Sequence, residues 1–71
     1  MIPTPVRITV NGEPREFPDG LSLLGLLEHF ALDPRAVVVE RNRQIVRRPA
    51  LAGTLVRPGD AIELVHFVGG G

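Results

Sequence analysis

A β-hairpin is predicted at the start of the chain. Apolar and polar residues alternate with a period of two over 6–10, and Asn11-Gly12, a pair favoured in type I′ hairpin turns, follows directly. The chain can then return as a second strand over Glu13 to Phe17. Because Pro14 lacks a backbone N–H, this second strand is expected at an edge of the sheet.

An amphipathic helix is predicted after the hairpin. Ser22 has the side chain of an N-cap. Four apolar residues then fall at i, i+3, i+4 and i+7 and share one helical face: Leu23, Leu26, Leu27 and Phe30. Asp33-Pro34 ends the helix. Glycine is unfavourable in a helix interior, so we expect a close approach between helix and sheet at Gly25.

Three further strands are predicted in the second half of the chain. A β-branched run over 36–40 is followed by a turn and a short strand over 44–46. Residues 47–54 are expected to be irregular, with one helical turn. A tight turn at 57–60 leads into the last strand, over 61–67.

The order of these elements predicts a single α+β domain. A chain of 71 residues has room for one core. Because crossover connections are right-handed, the helix should lead to a strand on the far side of the first strand, which leaves the centre for the last strand. The expected architecture is a β-grasp fold, a mixed sheet of four to five strands with one main helix packed on one face. We expect this domain over 1–67 and a flexible C-terminal tail over 68–71.

The composition excludes several kinds of chemistry. The chain has no cysteine, which removes disulfides, thiolate metal sites and cysteine nucleophiles. All eight basic residues are arginine, so no lysine is present for a Schiff base or a phosphate-binding P-loop. Two histidines, His29 and His66, are too few for a protein-only transition-metal site, and no metal site is expected. His66 is expected to be a solvent-side or hydrogen-bonded residue of the last strand and not a base.

Charge and hydropathy argue against nucleic acid and membrane as partners. The eight arginines balance eight acids, and phenylalanine, present three times, is the only aromatic residue type apart from histidine. This composition lacks the signature of a nucleic-acid binder. No apolar run approaches the roughly 18 residues of a membrane span, so no membrane association is expected and the cytoplasm is the default location.

Motifs along nearly the whole chain resemble those of one family. They are the Asn11-Gly12 hairpin, Glu40-Arg41-Asn42, Ile45-Val46, Gly59-Asp60, Ile62-Glu63-Leu64-Val65 and, most specifically, His66-Phe67-Val68-Gly69-Gly70-Gly71. In these the chain resembles the sulfur carrier proteins of thiamine biosynthesis, the ThiS family of ubiquitin-like β-grasp proteins. It departs from the family pattern where Arg47-Arg48-Pro49 replaces a proline followed by a basic residue, and where three glycines stand in place of two.

The resemblance implies a carrier that is not itself an enzyme. The carboxylate of Gly71 would be adenylated by a separate E1-like enzyme, which uses ATP and Mg²⁺, and then converted to a thiocarboxylate. Gly69 and Gly70 would thread the tail through a narrow channel, since glycine has no Cβ. A sulfur donor such as a cysteine desulfurase persulfide would supply the sulfur, and thiazole synthase would receive it. No cofactor would be bound by the chain itself.

The partner surface is expected on the last strand. Ubiquitin-like carriers dock through exposed apolar strand surface, so Val65, Phe67 and Val68 are the predicted anchors. Five arginines without an intervening acid form a basic stretch: Arg41, Arg43, Arg47, Arg48 and Arg57. Such a run is usually a solvated face, and docking to an acidic partner is the alternative.

Three other functions remain compatible with these residues. The chain could carry a thiocarboxylate for molybdopterin synthesis or tRNA thiolation, where only the acceptor would differ. It could be a non-catalytic β-grasp interaction module with an inert tail. It could also be a protein modifier, joined through Gly71 to a lysine of another protein.

Overall fold

A computed structural model describes residues 4–67 and contains the predicted elements. The strands are β1 (Val6–Val10), β2 (Glu13–Phe17), β3 (Val37–Arg41), β4 (Gln44–Val46) and β5 (Ala61–His66), and the helices are α1 (Leu23–His29) and the single turn α2 (Arg48–Leu51). A 3-10 turn at Pro34–Ala36 precedes β3. The predicted strands, the main helix and the helical turn within 47–54 are confirmed, but α1 ends at His29, before the predicted end at Asp33-Pro34, with Phe30 as its C-cap.

The five strands form one mixed sheet in the order β2-β1-β5-β3-β4. β5 is parallel to β1, with Val10 opposite Ile62, and antiparallel to β3, with Val37 opposite His66. β2 lies at an edge, as Pro14 required. The last strand therefore occupies the centre of the sheet, and the predicted β-grasp arrangement is confirmed.

Both hairpins turn through asparagine in a left-handed conformation. Asn11 and Gly12 have φ values of 50° and 81°, and Asn42 and Arg43 have φ values of 53° and 70°. Positive φ at both central residues is the requirement of a type I′ turn, whose twist matches that of the flanking strands. The first hairpin has glycine at the second position, whereas the second hairpin places an arginine there.

The core lies between α1 and one face of the sheet. Leu23, Leu26 and Leu27 of α1 are fully buried, as is Ile62 of β5. The remaining buried apolar residues are Val6, Ile8, Val10, Phe17, Val37, Val39, Leu51 and Val56. Side chains along a strand alternate between the two faces of the sheet. The strand residues that alternate with the buried strand residues therefore lie on the opposite face, here called the open face.

The reason for Gly25 differs from the expected one. A Cβ on Gly25 would lie 2.8 Å from Cδ1 of Leu21 and 3.4 Å from Oγ of Ser22. The predicted N-cap is confirmed, since the Gly25 N–H donates to Oγ of Ser22 at 2.9 Å. The crowding therefore arises from the residues that cap the helix, not from the sheet.

Within residues 4–67 no helix has the length and apolar character needed to cross a membrane.

Candidate functional site

The strand that precedes the predicted tail is fixed in the sheet to its end. His66 pairs with Val37, and the Phe67 N–H donates to the carbonyl oxygen of Ala36 at 2.8 Å. The tail residues Val68, Gly69, Gly70 and Gly71 lie outside the described residues, so their predicted roles stay predictions. The structure places the residue before them, Phe67, at the end of a central, hydrogen-bonded strand.

Two of the three predicted anchors are exposed on the open face. Val65 is 52% exposed and Phe67 is 54% exposed. Ile62 lies in the core and Leu64 packs against the core, so these two residues face the helix. Val65 and Phe67 alternate with them and therefore lie on the other face. Large apolar side chains left this accessible on adjacent positions of one face are typical of an interaction surface.

Neighbouring strands extend this apolar surface. Val38 of β3 lies directly opposite Val65, and Ile45 of β4, which is 62% exposed, lies opposite Glu40 on the same face. We call Val38, Ile45, Val65 and Phe67 the open-face patch. A groove of about 320 Å³ lies along it and is lined by Val38, Ile45 and Phe67 together with Arg47 and Arg48. Sequence reasoning missed Val38 and Ile45, whose proximity to Phe67 depends on the strand order.

The predicted basic stretch does not act as one unit. Arg41 donates its Nε–H to the Asp60 carboxylate at 2.8 Å and is half-buried. The other four arginines are exposed, and none of them forms an ion pair with any residue in 4–67: Arg43, Arg47, Arg48 and Arg57. Arg47 and Arg48 border the open-face patch, whereas Arg41 serves the fold.

Asp60 is the one buried charged side chain among residues 4–67, with 5% of its surface exposed. Its carboxylate accepts hydrogen bonds from Arg41 Nε at 2.8 Å, from the Arg57 N–H at 2.9 Å and from Asn42 Nδ2 at 3.1 Å. Burial raises the pKa of Asp60, but the hydrogen bonds from Arg41, Arg57 and Asn42 outweigh it and hold the pKa below its ordinary value. This residue joins the β3–β4 turn to the start of β5.

The two histidines have different surroundings. His66 is an exposed strand residue, but its side chain lies on the helix side of the sheet and not on the predicted solvent side, and it lines a groove of about 460 Å³ beside Asn11 and Glu13. His29 ends α1, where its ring packs edge-on against Phe17 with centroids 5.0 Å apart. Among the side-chain hydrogen bonds of residues 4–67, neither histidine is a partner.

Comparison with known proteins identifies the family. The sequence model of the ThiS family matches residues 8–71. The sulfur carrier protein ThiS of Bacillus subtilis is 41% identical over 46 residues, which are 65% of this chain and 70% of that protein. The crystal structure of the thiamine biosynthesis protein ThiS from Geobacter metallireducens superimposes with a TM-score of 0.75 at 37% identity, covering 93% of this chain and 100% of that one.

A longer protein also contains a similar segment. The thiazole synthase of Magnetococcus marinus is 41% identical to this chain over 66 residues, which are 93% of this chain and 20% of that protein. The chain thus spans about a fifth of the length of that relative. The family match covers the hairpin, the helix and the central last strand described above. The chain belongs to the ThiS family.

Proposed function

We propose that the chain is a sulfur carrier in thiamine biosynthesis and a co-substrate of partner enzymes. The Gly71 carboxylate is adenylated by an E1-like enzyme, becomes a thiocarboxylate and donates its sulfur to thiazole synthase. Membership of the ThiS family supports the carrier role. The observation that carries the proposal is the central position of β5, after which the Phe67 N–H is still hydrogen-bonded, because the residues that follow then start from a fixed point of the sheet.

The first reaction needs only an ionised carboxylate from this chain. A terminal carboxyl group has a pKa near 3.5 and is charged at neutral pH. Its oxygen attacks the α-phosphate of ATP, pyrophosphate leaves, and an acyl-adenylate forms at Gly71. The partner enzyme supplies ATP, Mg²⁺ and the groups that stabilise the transition state.

Sulfur enters in two further steps. The terminal sulfur of a donor persulfide attacks the acyl carbon, and AMP leaves. A second thiol then attacks the inner sulfur of the resulting acyl persulfide, which breaks the S–S bond, forms a disulfide with the donor and releases the thiocarboxylate. The thiocarboxylate sulfur is the nucleophile that thiazole synthase uses.

The length of the tail limits where the activating enzyme can bind. Four extended residues after Phe67 reach at most about 14 Å. The ATP site of the partner must therefore come within this distance of the end of β5, and its contact surface must lie on the same part of the domain. The open-face patch satisfies this condition because Phe67 belongs to it.

Apolar anchors and a basic border make this patch suited to a partner surface. Val65 and Phe67, with Val68 at the start of the tail, fill apolar pockets of the activating enzyme. Arg47 and Arg48 at the edge of the groove favour acidic residues on that enzyme, since neither has an ion-pair partner within residues 4–67.

The longer relative bears on the choice of acceptor. The thiazole synthase of Magnetococcus marinus contains, within one polypeptide, a segment similar to this chain. Such a combination supports thiazole synthase as the partner and favours the thiamine pathway over molybdopterin synthesis and tRNA thiolation.

Adenylation of the terminus is tested with the cognate E1-like enzyme and Mg·ATP. We expect AMP or pyrophosphate formation that depends on the carrier, and no formation when one alanine is appended after Gly71. The appended chain keeps the fold and the open-face patch, so it should still bind the enzyme. Equal turnover with both carriers would show that Gly71 is not required as the group activated, and no carrier-dependent turnover with either chain would favour an interaction module.

A further inference from the structure

We propose that Asn11 is a positioning residue for the C-terminal tail, an inference that rests on the sulfur carrier function proposed above. The backbone pairing of β1 with β5 ends at Val10 and Ile62, because the chain turns into β2 at Asn11. The Asn11 N–H makes the last backbone contact of this pair, to the Ile62 carbonyl oxygen at 2.8 Å. β5 continues beyond this point to His66.

The Asn11 side chain takes the place of the missing strand. Its Oδ1 accepts a hydrogen bond from the Leu64 N–H at 2.7 Å, and its Nδ2 donates to the Leu64 carbonyl oxygen at 3.3 Å. One side-chain amide thus contacts both backbone groups of Leu64, as a residue of a neighbouring strand would. β5 is held from both sides as far as Leu64, two residues before His66.

Asn42 makes the same kind of contact at the other end of β5. Its N–H donates to the Ala61 carbonyl oxygen at 2.8 Å, and its Oδ1 accepts from the Ala61 N–H at 2.9 Å. Both asparagines occupy the first position of a hairpin turn, with φ values of 50° for Asn11 and 53° for Asn42. Asn42 therefore holds the start of β5 at Ala61, and Asn11 holds it nearer the tail at Leu64.

The location of Asn11 gives it a specific effect on the tail. β3 holds the end of β5 on one side through the Val37 and His66 pair, and Asn11 holds it on the other at Leu64. Loss of the second contact lets the end of the strand move more freely. A partner that binds the Gly71 carboxylate must then restrict a larger range of chain conformations. The greater loss of conformational entropy weakens binding without altering the chemical step.

Asn11→Gly separates the two roles of the residue. Glycine adopts a φ of 50° readily, so the turn is kept while the side-chain amide is removed. Asn42→Gly is the control, with the same change at the same turn position at the far end of β5, and it removes in addition the hydrogen bond from Asn42 Nδ2 to Asp60. Asn11→Asp is the conservative variant, since aspartate tolerates the same conformation and keeps an acceptor for the Leu64 N–H.

The kinetic test is carrier-dependent adenylation by the cognate E1-like enzyme. For Asn11→Gly we expect the KM for the carrier to rise about fivefold, the fold-change that matches the net loss of one hydrogen bond, with kcat unchanged. Asn42→Gly also removes the hydrogen bond to Asp60, so it should lower the melting temperature by at least as much as Asn11→Gly, and it should leave KM within about twofold of the wild type. Asn11→Asp should give an intermediate KM. An unchanged KM for Asn11→Gly, or the same rise for Asn42→Gly, would overturn the proposal.

A second measurement decides the positioning role without any enzyme. Amide hydrogen exchange at Leu64 and Phe67, whose N–H groups donate to Asn11 Oδ1 and to the Ala36 carbonyl oxygen, should accelerate in Asn11→Gly and stay near the wild-type rate in Asn42→Gly. If the wild-type chain is not adenylated at all, the carrier function fails, and exchange alone decides whether Asn11 fixes the end of β5. Equal exchange at these amides in both variants would refute that role.

Discussion

The Nε–H of Arg41 donates to Oδ2 of Asp60 at 2.8 Å and links the end of β3 to the turn before β5. The same carboxylate also accepts hydrogen bonds from the Asn42 side chain and from the Arg57 backbone N–H. Both oxygens of this buried carboxylate are therefore hydrogen-bonded. A buried charge with complete hydrogen bonding is stable only while every partner is present. The Asp60 carboxylate therefore joins the end of β3 and the β3–β4 turn to the start of the central strand.

Asp60→Asn should lower the free energy of unfolding by about 2 kcal/mol, because the amide leaves Arg41 without its counter-charge and turns a donor towards other donors. Urea denaturation measures the change. Glu16→Gln is the isosteric control, since Glu16 pairs with Arg7 on the surface at 2.8 Å. This control should shift stability by no more than about 0.5 kcal/mol. Equal losses in the two variants would contradict the structural role of Asp60.

Acid should destabilise the protein through Asp60. Burial raises the pKa of this carboxyl, but hydrogen bonds from Arg41, Arg57 and Asn42 outweigh burial and hold the pKa below its ordinary value of 3.8. A depressed pKa in the folded state stabilises the fold above the unfolded-state pKa, and this contribution is lost as the pH falls through the folded-state value. The melting temperature should therefore fall more steeply below about pH 4 in the wild type than in Asp60→Asn. A constant difference between the two proteins from pH 6 to pH 3 would show that Asp60 is not responsible.

Phe67→Ala should weaken binding to the activating enzyme about tenfold or more. The side chain is 54% exposed, so stability should fall by less than about 1 kcal/mol. Isothermal titration with the partner and thermal melting of the free carrier separate the two effects. Leu55→Ala is the matched control, because Leu55 is also an exposed apolar side chain but lies outside the open-face patch. A collapse of stability with unchanged binding would place Phe67 in the core and remove it from the interface.

Arg43→Gly should stabilise the domain by about 0.5–1 kcal/mol, because Arg43 has a φ of 70° at a turn position that favours glycine. The reciprocal change, Gly12→Arg, places the same residue pair in the first hairpin. It should destabilise by a similar amount, since open space surrounds Gly12 and only the backbone conformation opposes a side chain. Chemical denaturation of both variants tests this expectation. Destabilisation by Arg43→Gly would mean that the arginine side chain makes a contact that outweighs the strain.

The sequence predicts those parts of the fold that depend on local patterns. Alternation over 6–10, the Asn11-Gly12 pair and the helical spacing of Leu23 to Phe30 each identify an element without reference to the rest of the chain. The central place of β5 follows from connection handedness, which is a general rule. The exposure of Val65 and Phe67 follows from strand alternation once that order is known.

Contacts between distant residues were not predictable in this way. Asn11 and Leu64 are 53 positions apart, and the sequence identifies Asn11 only as a turn residue. Arg41 and Asp60 both lie in motifs that carry the family resemblance, Glu40-Arg41-Asn42 and Gly59-Asp60. Neither motif indicates that the two side chains pair. The roles of Gly69, Gly70 and Gly71 stay predictions.

Intact-mass analysis of the carrier tests the central claim most directly. The protein is incubated with the cognate E1-like enzyme, Mg·ATP and a persulfide donor with a reducing thiol, and the C-terminal peptide is then sequenced by fragmentation. We predict a species heavier by one oxygen-to-sulfur exchange, located on Gly71. An unchanged mass after ATP has been consumed, or sulfur delivery by a chain that lacks Gly71, would contradict the account.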